Sequence, residues 1–134
     1  FNMSVTRECM LHMESVNFND LKTIGEMLNF LKENNALPEL NNYTMKIDDD
    51  KIRLTHQSKS WTWIEINKNG QLKWDEHYKE TGLEKDRILN AIETYYSPYV
   101  VAKEFAEAGQ TLYGNTVMTL TEDKQNIVVV SSEG

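Results

Sequence analysis

Apolar residues recur along this chain at two periods. The switches between them predict the order β-α-β-β-β-β-α-β-β. Val5, Cys9, Leu11 and Met13 fall at a spacing of two, which predicts a first strand. Asn17 and Asp20 then offer short oxygen-bearing side chains of the kind that cap a helix start. Leu21, Ile24, Leu28 and Leu31, with Met27 beside them, follow at three- and four-residue spacing and predict an amphipathic helix ending near Asn34-Asn35. Tyr43, Met45 and Ile47 alternate. Asp48-Asp49-Asp50 turns the chain, and Ile52 and Leu54 alternate after it. A loop through Gln57 to Ser60 leads into a strand from Trp61 to Ile66.

Asn69-Gly70 is a strong hairpin signal, and the face pattern selects its type. A two-residue loop would pair Glu65 with Trp74 and Ile66 with Lys73, setting apolar against polar. A three-residue loop with Gly70 in the left-handed conformation pairs Ile66 with Leu72 and Ile64 with Trp74, so all four apolar residues share one face. The opposite face then carries Trp61, Trp63, Glu65, Lys73 and Asp75. Ile88, Ile92, Tyr95, Tyr99 and Ala102 predict a second helix from about Leu83 to Ala108, kinked or restarted at Ser97-Pro98 and stopped by Gly109. Two last strands are expected over 111–120 and 126–131, joined by a polar turn at Glu122 to Gln125. The fold class is therefore α+β: a largely antiparallel sheet with both helices packed on one face, in one domain over residues 3–134. Met3 reads as the natural start, with Phe1 and Asn2 before it.

Composition narrows the function classes. A chain of 134 residues buries roughly 65–70% of its unfolded surface and needs no disulfide or metal to hold a core. The single cysteine, Cys9, has no partner within the chain, so a reducing, cytoplasmic compartment is expected, with the thiol buried and structural. No apolar run is long enough to cross a bilayer, so no membrane contact is expected. With 21 acidic against 14 scattered basic residues, the net charge of −7 disfavours direct nucleic-acid binding; it suits a basic protein partner, but solubility alone accounts for it more readily.

The segment Ile92-Glu93-Thr94-Tyr95-Tyr96, followed by Val100-Val101, Ala106 and Gly109, resembles the C-terminal half of a family of small plastid and cyanobacterial proteins, a conserved hypothetical chloroplast reading frame. The likeness runs mainly over residues 88–131 and loosely over the first strand and helix. It implies a small α+β domain with no known chemistry, and no functional residue carries over. The middle of the chain, with Trp61-Thr62-Trp63 and the Asp48 to Asp50 turn, departs from it.

Catalytic constellations are thin. His12, His56 and His77 share no metal-type spacing, and Cys9 has no evident base, so neither cofactor nor metal is expected. Asp75, Glu76, His77 and Glu80 form the most catalytic-looking cluster, but the solvated end of a hairpin accounts for them better. Asp48-Asp49-Asp50 lacks the other ligands of a calcium loop and reads as a polar turn. The residues that stand out are Trp61 and Trp63, which the register places on the face away from the helices. They are either interface anchors or lie beneath a loop or the terminal hairpin. The expectation is a non-enzymatic, acidic protein-interaction domain, an adaptor or an inhibitor of a basic partner, contacting it through Trp61, Trp63, Glu65, Lys73 and Asp75. The alternative is a small-ligand-binding domain with a pocket between sheet and long helix. A homodimer or hetero-complex is also expected, because an uncovered sheet face and a Val128-Val129-Val130 edge strand would both seek partners.

Overall fold

A computed structural model describes residues 6–59, 61–75 and 79–131. The strands β1 (Thr6–Met10), β2 (Tyr43–Ile47), β3 (Lys51–His56), β4 (Trp63–Asn67) and β5 (Gln71–Asp75) form one antiparallel sheet in the order β1-β5-β4-β3-β2. The helices are α1 (Leu21–Glu33) and α2 (Lys79–Tyr113), with a short 3-10 turn at Pro38–Asn42. The last strands, β6 (Thr116–Leu120) and β7 (Ile127–Ser131), pair as a separate two-stranded ribbon. The α+β class and the order of elements match the sequence reading.

The register between β4 and β5 shows how local chemistry sets the sheet. Lys68-Asn69-Gly70 is a three-residue connection with Asn69 at φ 74° and Gly70 at φ 89°. It pairs Ile64 with Trp74 and Ile66 with Leu72, as the face pattern requires. Ile52, Leu54, Ile64, Ile66 and Leu72 then point to one side, where Ile24, Met27, Leu28 and Leu31 of α1 and Ile88 and Ile92 of α2 enclose them. Each is a branched or flexible apolar side chain removed from water, and together they supply the main driving force of folding.

The start of α1 follows its cap. Asp20 accepts a hydrogen bond from the Thr23 N–H at 3.2 Å and another from the Thr23 hydroxyl at 2.7 Å. The hydroxyl first, then the N–H, holds the Asp20 carboxyl below its ordinary value against the opposing effect of burial. Asp20→Ala is expected to destabilise the domain by about 1 kcal/mol at neutral pH. Because the folded-state pKa is depressed, this stabilisation is present above the unfolded pKa of about 4 and is lost as pH falls through the folded value. Chemical denaturation of both proteins across pH 2–7 checks this. A difference that persists undiminished at pH 2 would remove the carboxylate from the account.

The expected stop at Gly109 fails, and so does a restart at Pro98, one of the two outcomes (kink or restart) expected there, both for tertiary reasons. The helix neither stops at Gly109 nor restarts at Pro98; it runs unbroken from Lys79 to Tyr113. A Cβ built at Gly109 would lie 2.7 Å from the Thr116 hydroxyl and 3.0 Å from its methyl. The glycine therefore serves the close approach of β6 to the helix and does not end it. The stop falls at Gly114, with φ 86°, whose N–H bonds the Gln110 carbonyl. Pro98 withholds only the bond to the Thr94 carbonyl, on an exposed flank of the helix, so α2 is continuous around it.

Length explains the ribbon. At 35 residues, α2 extends about 52 Å, while a five-residue strand spans about 17 Å. The far half of α2 outruns the sheet, and β6 and β7 fold back along it. Leu120 joins the core, Thr119 contacts the Asn34 side chain at the end of α1, and Tyr95 donates a hydrogen bond to the Lys124 carbonyl. Cys9, expected to be buried, is exposed, because β1 is an edge strand whose every residue faces solvent. Val5, Glu76, His77 and the terminal Glu133 lie outside the described residues.

Candidate functional site

The five residues nominated from the sequence do not form one open patch. Trp63, Glu65, Lys73 and Asp75 do share the sheet face turned away from the core, as the register dictates. Trp61 precedes β4 in a turn and is 45% exposed. Glu65 and Asp75 are buried, at 8% and 4% exposure. Over Glu65 the cover comes from the face's own long side chains. Arg53 hydrogen-bonds Glu65, Lys51 lies 3.5 Å from the same carboxylate, and the Arg53 guanidinium sits 4.6 Å from the centre of the Trp63 ring. Across the strands Glu8 pairs with Lys73, Lys73 with Glu65, and Glu65 with Arg53, so opposite charges alternate along one row. Around Glu65 this face meets water through paired charges, and the exposed aromatic Trp61 lies in the turn before β4.

At one end of the sheet, beneath the start of α2, polar atoms are enclosed. Tyr43 is 2% exposed and stacks edge-on against His56, with ring centres 5.1 Å apart. Burial first, and then the Glu84 carboxylate, push the Tyr43 hydroxyl well above the ordinary tyrosine range. Lys85 lies over the Trp74 ring at 3.9 Å. Of the catalytic-looking cluster, Asp75 is placed at this end, while Glu76 and His77 and the side chain of Glu80 are outside the described residues. Among the described residues no group of three or more His, Cys, Asp or Glu is placed to hold a metal.

The exposed apolar surface gathers elsewhere. Among the described residues, six of the ten exposed large apolar side chains lie on the far half of α2 or the ribbon: Val101, Phe105, Leu112, Tyr113, Val117 and Val130. Between the outer flank of α2 and β7 runs a groove of about 680 Å³. Val101 and Phe105 form one wall, Ile127 and Val129 the other, and Tyr95 and Ala102 lie between. Pro98 leaves the Thr94 carbonyl without its helical donor along the same groove. Among the described residues Lys124 is the charged residue of the lining, and no carboxylate lines it.

Sequence reasoning missed Phe105, and the signal was present. Pro98, Val101, Phe105 and Leu112 recur at spacings of three, four and seven beside the stripe Ile88-Ile92-Tyr95-Tyr99-Ala102. The helix is thus apolar on two adjacent faces. One packs on the sheet and ribbon, and the other stays in water.

No protein-family model matches the chain, and no curated protein or solved structure matches it either.

Proposed function

We propose that this chain is a non-enzymatic protein-interaction domain whose principal contact surface is the flank of α2 together with β7. The observation that carries this reading is the groove itself, where the exposed side chains of Val101 and Phe105 stand opposite Ile127 and Val129, since an apolar surface left open to water marks an interaction site. Trp61, exposed beside the charged outer face of the sheet, is a second candidate anchor. Net charge −7 favours a basic partner over an acidic one and suits an adaptor or an inhibitor of a basic protein. The one cysteine stands exposed on an edge strand, a poor setting for a nucleophile that needs a neighbouring base.

Affinity capture with the wild-type chain, Phe105→Glu and Trp61→Ala/Trp63→Ala separates the surfaces. Loss of partners with Phe105→Glu alone assigns the groove; loss with the tryptophan pair alone assigns the sheet face. Identical capture by all three would sink both assignments. The alternative, a small-ligand-binding domain, draws on the groove's size, which lies within the usual range for ligand sites. Native mass spectrometry showing a co-purified ligand that Phe105→Glu releases would favour it.

A further inference from the structure

We infer that the α2–β7 groove is occupied by a second copy of this chain, paired through β7 about a twofold axis at Val129. This inference rests on the reading of the groove as a protein contact, and it names the partner.

The edges of the two sheets are treated differently. At the five-stranded sheet, β1 carries Arg7 and Glu8 and β2 carries Lys46, charges that discourage pairing with another strand. The strand β7, Ile-Val-Val-Val-Ser, carries none. Among the described residues its outer backbone edge also has no partner strand. Thr121 donates to the Asn126 carbonyl at 3.0 Å, so this opposed pair is a hydrogen-bonded one. Alternation along the antiparallel ladder then bonds Val128 and Val130 to β6 and turns the N–H and C=O of Ile127, Val129 and Ser131 away from it. Those are the groups an added antiparallel strand takes up.

Self-pairing at this edge satisfies both geometry and charge. With the twofold at Val129, Val129 faces its copy and Ile127 faces Ser131, so every inward side chain meets an inward side chain. A helix about 10 Å across covers two strands about 4.8 Å apart. Joining β7 to β7 therefore sets the two α2 helices about 10 Å apart, the spacing at which helices pack. Val101 and Phe105 stand on the flank that would face the axis, and Phe105 is 66% exposed in the single chain. A chain of net charge −7 repels its copy, yet among the described residues neither β7 nor the groove lining contains a carboxylate. The described residues of two copies meet here without opposing acid to acid. The result is a continuous four-stranded sheet over two helices, a closed and isologous contact.

Light scattering coupled to gel filtration, at micromolar to hundred-micromolar concentration, tests this on the full chain. The wild type is expected at twice the 15.6 kDa chain mass, with the dimer favoured as salt rises from low to physiological strength. Val129→Pro removes an N–H that points away from β6, so it is expected to give a monomer with unchanged far-ultraviolet circular dichroism. Phe105→Glu sets two carboxylates near the axis and is expected to do the same. Val128→Pro, which breaks the β6–β7 ladder itself, should instead lower the melting temperature. A monomeric wild type at every concentration, or a dimer that persists in both Val129→Pro and Phe105→Glu, overturns the self-pairing. The broader reading is decided separately: a monomeric wild type whose capture of another protein is abolished by Phe105→Glu keeps the groove as a contact for a different partner. Unchanged capture fails that reading too.

Discussion

Ile92→Ala is expected to cost about 2–5 kcal/mol of folding free energy, while Phe105→Ala on the same helix is expected to cost within about 0.5 kcal/mol. Ile92 is fully buried in the cluster that joins α2 to α1 and the sheet. Truncating it removes transfer free energy and leaves a cavity that the surrounding Ile and Leu side chains fill only in part. Phe105 is 66% exposed, so the single chain loses little burial without it. Urea denaturation at low protein concentration, where a self-associated form is least populated, measures both. A loss above about 2 kcal/mol for Phe105→Ala under those conditions would make Phe105 a core residue. The interaction surface would then lose its central side chain. The comparison matters for function because it separates what α2 does for the fold from what its exposed flank does for a partner.

The second large effect is expected on the outer sheet face, from Arg53→Ala. Glu65 is buried although it lies on the solvent side of the sheet, and Arg53 is the partner that hydrogen-bonds it. Removing the guanidinium leaves a carboxylate with Lys51 at 3.5 Å and uncovers the Trp63 ring. Breaking a fully buried ion pair costs about 3–5 kcal/mol. The Arg53 side chain is 37% exposed, so solvent already weakens the pair and a loss of about 2–3 kcal/mol is expected. Arg53→Met/Glu65→Met, which removes both charges and keeps the volume, is expected to recover most of this loss. The double-mutant cycle in urea decides it. A single-mutant cost below about 0.5 kcal/mol would mean that Lys51 and water satisfy Glu65 unaided.

What the sequence determined by itself was every feature set by neighbours along the chain. The period-two and period-three-to-four patterns give the order of elements, because a strand alternates its faces and a helix returns to one face every three or four residues. Asp20 caps α1 through atoms three residues away. The register of β4 against β5 was also legible, since a three-residue turn and the alternation of Ile64, Ile66, Leu72 and Trp74 allow one arrangement with a single apolar face. The tertiary structure alone decided the rest. Gly109 reads as a stop until β6 is seen to press Thr116 against it, and Pro98 reads as a break until its missing bond is found on a solvent-facing flank. Cys9 reads as buried until β1 proves to be an edge. Trp63 and Glu65 read as open until Arg53, from a neighbouring strand, is seen to cover them. Phe105 was hidden for the same reason. A helix with two apolar faces does not say which one the rest of the chain will cover, and that depends on where β6 and β7 pack. Burial is a property of contacts between distant segments, and no local pattern contains it.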